Sequence, residues 1–437
     1  MPRIIRIHAL EVLDSRGNPT VETQVFLEDG SSARSLVPSG ASTGRFEALE
    51  LRDGDERRFL GRGVLRAVEN VNREISPALE GEEALNQQAV DERLIELDSS
   101  ENKESLGANA LLGVSLATLR AAASSEGVPL YRYLGGSRAG ELPMPMVNIL
   151  SGGLHVGGAN ASGLDVQDFL FLPLKAARYS DALEQAQRVR HVMTDVLRKR
   201  GYAVTGVADE GGFGPALPSN EEALRLMVEA FEQAELKPGE EAGIALDIAA
   251  THFYRDGAYR LAREQVDLNS TEMVERLADW TRKYPIFSIE DGLDEEDWTG
   301  WKALTERLGE GCQILGDDLF VTNLRRLERG IAEGVANAVL VKMNQIGTVT
   351  ETLDLVRAAQ KNGYRPVISA RSGETEDDSM ADLAVGTGAG QIKIGSVAGS
   401  ERMAKYNRLL RIEEELGVRA RYRGAEVLAG WRKRAAE

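Results

Sequence analysis

The chain has 437 residues, a hydrophobic fraction of 42% and a formal net charge of −17, which is length for two or three domains and enough apolar material for a large core. The acid excess argues against a nucleic-acid partner held by clustered Lys and Arg, so any acidic ligand must be gripped locally. The single cysteine, Cys312, excludes an intrachain disulfide and favours a reducing cytoplasm.

The start, MPRIIRIHALEVLDSRG, meets Glu11 and Asp14 before an apolar run reaches signal-peptide length. No later segment approaches ~18 uncharged apolar residues, so neither an export signal nor a membrane span is expected. The stretch VETQVFLEDG (21–30) alternates like a hairpin strand, and GANALLGVSLATLRAAASSEG (107–127) has helical periodicity. Together they predict an α+β cap over 1–135. GGSRAGELPMP (135–145) then mixes Gly and Pro without apolar periodicity and reads as a linker.

A second domain is expected over 143–425. Its short apolar runs alternate with amphipathic helices such as DALEQAQRVRHVMTDVLRKRG (181–201) and STEMVERLADWTRKY (270–284), the βαβα grammar of a parallel sheet. Seven runs end in a polar group or a tight turn: GVADE at Glu210, GIALD at Asp247, FSIE at Glu290, ILGDD at Asp317 and Asp318, AVLVK at Lys342, VISAR at Arg371, and QIKIG around Lys393. In a parallel α/β barrel all strands point one way and their C-terminal ends converge on one face. An open doubly wound sheet is the alternative, but one crevice gathers fewer strand ends. No fixed-period repeat or low-complexity tract occurs, and the basic tail GWRKRAAE (430–437) is expected to fray.

Asp247, Glu290 and Asp317 would be three carboxylates on successive strands. Crowded acids repel and protonate unless a cation neutralises them, and hard oxygen ligands select Mg²⁺ or Ca²⁺, with Mg²⁺ keeping positions open for substrate oxygens. The alternative is plain salt bridging to lysines. Lys342 and Lys393 end two other strands. Beside a divalent cation their pKa is expected to fall, making one of them a base; otherwise they are structural ion-pair partners. Asp168 in VQDFL and Glu210 in VADEGG add two acids suited to protonating a leaving hydroxyl, although DEGG also reads as a simple turn. Its glycines would let the backbone approach a ligand. Arg371, Ser372 and Gly373 offer a planar fork, a hydroxyl and backbone N–H groups to a phosphate or carboxylate. Such a layout suits proton abstraction beside a carboxylate.

In order along nearly the whole chain, LDSRGNPTVE (13–22), PSGASTG (38–44), DEGG, SIEDGLDE, GDDLFVTN, KMNQIGT, RSGETED and AKYNRLLRIEEELG resemble the enolases, a family in which a Lys base works with Mg²⁺. The resemblance implies an α+β cap on an eight-stranded α/β barrel, a homodimer or higher homo-oligomer, two Mg²⁺ ions, and reversible dehydration of 2-phosphoglycerate to phosphoenolpyruvate. By matching motif, Asp247, Glu290 and Asp317 would hold the first metal, and Ser42 the second as its loop closes. Lys342 would take the C2 proton, Glu210 would protonate the departing 3-hydroxyl, and Lys393 would contact the substrate carboxylate. Arg371 and Ser372 would hold the phosphate, with His155 and Gln167 completing the pocket.

Three departures from the family pattern fall on the leaving-group side. Asp168 stands where the family has Glu, and Ala370 where it has His. The loop SGGLHVGGANASGLDVQDF (151–169) carries a few extra small residues before Gln167. Among the four histidines only His155 falls in a site motif, and His252, just beyond Asp247, could partly substitute. Two further readings follow: a specialised paralogue handling a related ligand in phosphonate metabolism, like a carboxyphosphonoenolpyruvate synthase, and a non-catalytic scaffold. The scaffold predicts decayed metal and base positions, which the sequence does not show.

Overall fold

The N-terminal strands β1 (Ile4–Leu13), β2 (Pro19–Leu27) and β3 (Ser32–Leu36) form an antiparallel sheet in that order. The alternation along β2 puts Val21, Val25 and Leu27 on one buried face. Helix α1 (Ala108–Ser125) covers that sheet through Leu111 and Val114. Here the apolar side of the sheet is satisfied by one helix layer, which is why the cap reads as α+β. The computed structural model describes residues 1–41, 43–157 and 164–430. Ser42, part of the 151–169 loop and the basic tail beyond Gly430 therefore lie outside the described residues.

After the cap, eight strands close a barrel: β4 (Met144–Ser151), β5 (Asp168–Pro173), β6 (Ala242–Asp247), β7 (Ile286–Glu290), β8 (Gln313–Gly316), β9 (Ala338–Val341), β10 (Arg365–Ser369) and β11 (Gln391–Gly395). The spatial order follows the chain, and β11 pairs with β4 to close the ring. Met146, Leu170, Ala245, Phe287, Leu315, Leu340 and Val367 fill its interior, a packed core rather than a pore. Gln313 and Gln391 exchange amide hydrogen bonds of 3.0 and 2.9 Å across that interior, so their buried polar groups are paired with each other.

The barrel is not wholly parallel, as the sequence reading expected. Strand β5 runs antiparallel to both β4 and β6. Parallel neighbours need a crossover that returns the chain to the starting end, whereas an antiparallel pair can be joined at one end. Among the described residues the β4–β5 connection holds only the short turn Gly153–Val156, with no crossover helix. Asp168 thus opens its strand where the others close theirs, and reaches the same face.

A second correction concerns Glu210. GVADE is not a strand end but part of a loop pinned to β4 by the Leu150–Phe213 and Val207–Phe213 bridges. The Ser396 N–H donates to the Glu210 carbonyl at 2.8 Å, tying the loop to the end of β11. Gly212 serves protein packing rather than a ligand, since a Cβ there would fall 2.6 Å from Ser151 Oγ and 2.8 Å from Asn148 Oδ1.

Candidate active site

Strand register builds the mouth. Ser151 pairs with Asp168, Asp168 with Asp247, Asp247 with Glu290, and Glu290 with Leu315, two residues before Asp317. Neighbouring strands lie about 4.8 Å apart, so this register places the acids side by side. Lys342 follows β9 directly, Arg371 stands two residues past β10, and Lys393 is the middle residue of β11. Around the ring, the strand before Lys342 lies diametrically opposite the one that Asp168 opens.

The acids and lysines are paired. Lys393 Nζ donates to Asp247 Oδ2 at 2.7 Å and to Glu290 Oε1 and Oε2 at 2.7 and 2.8 Å. Lys342 Nζ donates to Asp317 Oδ2 at 2.5 Å, while Gln345 Nε2 donates to Asp317 Oδ1 at 2.8 Å. Asp247 and Glu290 thus close on one lysine and Asp317 on another. These ion pairs set the local pKa values. Burial works against the charge of Lys342, yet Asp317 outweighs it and the pKa is raised. Arg371 and Lys393 lower it by less than the carboxylate lifts it. For Lys393, burial is likewise overcome by Asp247 and Glu290, which hold it well above the usual lysine range.

On the opposite side, His155 Nδ1 lies 2.9 Å from Asp168 Oδ2, and its Nε2 lies 3.9 Å from Glu210 Oε1. Asp168 Oδ1 accepts from Asn148 Nδ2 at 2.6 Å and from Ser151 Oγ at 2.7 Å. Burial opposes a charged imidazole, but Asp168 and Glu210 push the His155 pKa up to about 9. Burial raises Asp168; Glu210, though also buried, is lowered by His155, Arg402 and the two lysines. Gln167 sits just before β5, its side chain 3.3 Å from Asp247 Oδ2.

The cap closes the fourth side. Arg371 Nη1 and Nη2 meet the Glu47 carboxylate at 3.0 and 3.2 Å, and Nη1 also donates to Asn344 Oδ1 at 3.0 Å. Ser372 Oγ accepts from the Ala41 N–H at 2.6 Å, Ser39 bridges Gly373, and Asn344 Nδ2 donates to the Pro38 carbonyl. The PSGASTG loop is therefore laid against the end of β10 that carries Arg371 and Ser372. Comparison with protein-family models matches residues 4–134 to the enolase N-terminal domain and residues 139–430 to the enolase C-terminal TIM barrel domain.

The chain belongs to the enolase family.

As an enolase-family protein it is a lyase-type enzyme for a small-molecule substrate, and the family uses a divalent metal. Its residues fit a hard cation. Asp168, Glu210, Asp247, Glu290, Asp291, Asp317 and Asp318 are all buried, against the buried cationic groups of His155, Lys342, Arg371 and Lys393. Burial and mutual repulsion hold Glu290, Asp291 and Asp318 well above the carboxylate range, the signature of acids short of positive charge. Their donors are oxygens, the set that Mg²⁺ and Ca²⁺ prefer. Among the described residues no helix is long and apolar enough to cross a membrane.

Several groups escaped the sequence reading. Asn344 and Gln345 lie inside KMNQIGT but were given no role, and Glu47 lies three residues past PSGASTG, where only the folded cap brings it to Arg371. Asn148 and Ser151 sit on a fully buried strand, where a polar residue in an apolar run is the one available signal. His252, in the short turn Ala250–Phe253, feels the charges of Asp247, His155 and Asp317. Burial depresses its pKa, and its Nε2 has no hydrogen-bond partner among the described residues. Ala370 is 3% exposed, and its N–H donates to the Lys393 carbonyl at 2.8 Å.

Proposed function

We propose that this enolase-family protein dehydrates 2-phosphoglycerate to phosphoenolpyruvate. What supports the reading is the placement of Lys342 and the Asp168, His155 and Glu210 group on opposite sides of one mouth, with acids along one arc and Arg371 and Lys393 along the other. A substrate lying across that mouth meets a base at one carbon and a proton donor at the next.

In this reading Arg371 and Ser372 hold the phosphate and Lys393 the carboxylate, with His155 and Gln167 closing the pocket. Asp247, Glu290 and Asp317 hold one Mg²⁺, and Ser42 contributes to a second. Bound there, such ions would supply positive charge to offset the negative charge that develops on proton removal. Lys342 takes the C2 proton, and a cation held by Asp317 would offset the carboxylate charge that raises the lysine pKa. Glu210 passes a proton to the 3-hydroxyl, which leaves as water, with the Asp168 and His155 pair behind it. The expected assembly is a homodimer or larger.

One observation favours a second reading, a paralogue handling a related ligand in phosphonate metabolism. Asp168 has one oxygen held by Asn148 and Ser151 and the other beside His155, drawn back from the mouth. A displacement of ~1 Å at a reacting group costs on the order of a hundredfold in rate. Turnover of 2-phosphoglycerate, followed by absorbance of the enol product with and without Mg²⁺, separates the two. Rapid Mg²⁺-dependent turnover eliminates the paralogue; retained ligand binding without turnover eliminates the enolase.

A further inference from the structure

Two consecutive residues of the cap take different partners on the barrel. Glu47 meets Arg371, with contacts of 3.0 and 3.2 Å. Phe46, the residue before it, is 40% exposed and lays its ring on Arg326 of the helix Leu324–Glu333, whose Cζ is 4.0 Å from the ring centroid. A guanidinium is attracted to the negative face of an aromatic ring. The same stretch is seated by two further contacts. The Arg45 N–H donates to Glu295 Oε2 at 3.0 Å, and Gly44 lies so close to the barrel that a Cβ there would fall 2.6 Å from Val321 Cγ1.

Arg326 is fixed before the ring reaches it. Its Nε donates to the Leu319 carbonyl at 2.6 Å, in the loop after β8. Its Nη2 donates to the Glu295 carbonyl at 3.0 Å and to Glu296 Oε1 at 2.8 Å, both in the loop after β7. Hydrogen bonds made in the guanidinium plane leave the flat face for stacking. Trp298 stands 5.4 Å from the same guanidinium, and Arg329 covers Trp298 at 3.8 Å, so rings and cations alternate. The barrel thus presents a rigid platform, and the cap supplies the ring that docks on it.

An anion received by Arg371 competes with the Glu47 carboxylate for the same guanidinium. The 38–47 loop then loses an anchor as the ligand arrives, and contacts that use neither Arg371 nor Ser372 must keep it seated. We propose that Phe46 and Arg326 form a latch that holds this loop on the barrel while Arg371 exchanges Glu47 for a phosphate, and so set the affinity for phosphorylated ligands. Both are positioning residues. The latch rests on Arg371 being the partner of the anion, as in the proposed function, and not on which phosphorylated ligand is turned over. A ligand that needs the loop seated binds more weakly in proportion to the seated fraction, whereas the saturated complex is unchanged.

Inorganic phosphate, titrated calorimetrically into the full-length protein in saturating Mg²⁺, reads the latch without turnover. Phe46→Ala should weaken phosphate and raise KM for 2-phosphoglycerate by about 3- to 30-fold, with kcat within about twofold. Phe46→Leu, which keeps apolar bulk without a ring face, should do the same, and Phe46→Tyr should restore the parent affinity. In an Arg326→Met background, Phe46→Ala should change nothing further; if Arg326→Met does not fold, the Leu and Tyr variants decide. Unchanged phosphate affinity in Phe46→Ala, even with a lowered urea midpoint, overturns the latch, as does restoration by Leu or an equal loss in the Arg326→Met background. Phosphate binding that depends on Phe46 without turnover of 2-phosphoglycerate upholds the latch and overturns the dehydration reading. Absence of phosphate binding to the parent overturns both.

Discussion

Arg371 and Glu47 form a two-pronged ion pair across the cap and barrel, with contacts of 3.0 and 3.2 Å and the arginine side chain 2% exposed. Burial alone would discourage the guanidinium charge, and Glu47 and Asp317 compensate for it. Removing one partner of a buried pair leaves the other uncompensated, at a cost of about 3–5 kcal/mol. Glu47→Ala should therefore lower the urea midpoint. Inorganic phosphate should recover part of the loss, and should stabilise the variant more than the parent, because an anion replaces the missing carboxylate. Equal phosphate effects on both proteins would mean that Arg371 does not receive the anion.

Lys342 is assigned the C2 proton. Lys342→Ala should abolish exchange of that hydrogen with heavy water and reduce turnover by at least about a hundredfold, the usual scale for a positioned base. Phosphate binding, assigned to Arg371 and Ser372 in the proposed function, should survive. The measurement is nuclear magnetic resonance of recovered 2-phosphoglycerate, and persistent exchange would assign the base elsewhere.

Glu290 bonds to Lys393 through both oxygens and retains a raised pKa. A Mg²⁺ ion shared by Asp247, Glu290 and Asp317 should raise the unfolding midpoint of the parent protein, by an amount that grows with the logarithm of free Mg²⁺ above its Kd. Chelation should reverse the shift, and Glu290→Gln should remove most of it. A full Mg²⁺ shift in the variant would place the ion away from these strands.

How far this site was legible follows from where each residue acquires its partners. Asp247, Glu290, Lys342 and Arg371 could be read because an apolar run that stops at a charge marks both a buried strand and its exit. The reversal of β5 left no such mark, since DFLFLP packs equally well in either direction and direction is decided by the connection before it. Glu210 carried a charge after an apolar run but lies on a loop, its position fixed by Phe213 against β4. Glu47 was invisible as a site residue because its meaning depends on an arginine in the other domain. The ion pair with Asp317 raises the Lys342 pKa, a balance of distances that sequence does not carry.

Ala370 is the departure with the clearest test. It is 3% exposed and belongs to the apolar layer between the barrel strands and their helices. Introducing an imidazole there must displace neighbours, and overpacking a closed core costs about 1–3 kcal/mol. If the site already dehydrates 2-phosphoglycerate, with His155 fixed beside Asp168 and Glu210, the added group has no step to assist. Ala370→His should then lower the urea midpoint while leaving kcat within about twofold, since a general acid–base contribution would register as a hundredfold or more. Stability is checked by urea unfolding, and kcat by absorbance of the enol product in saturating Mg²⁺. A strong rise in kcat would show that the leaving-group side has drifted from this reaction, and would favour the paralogue.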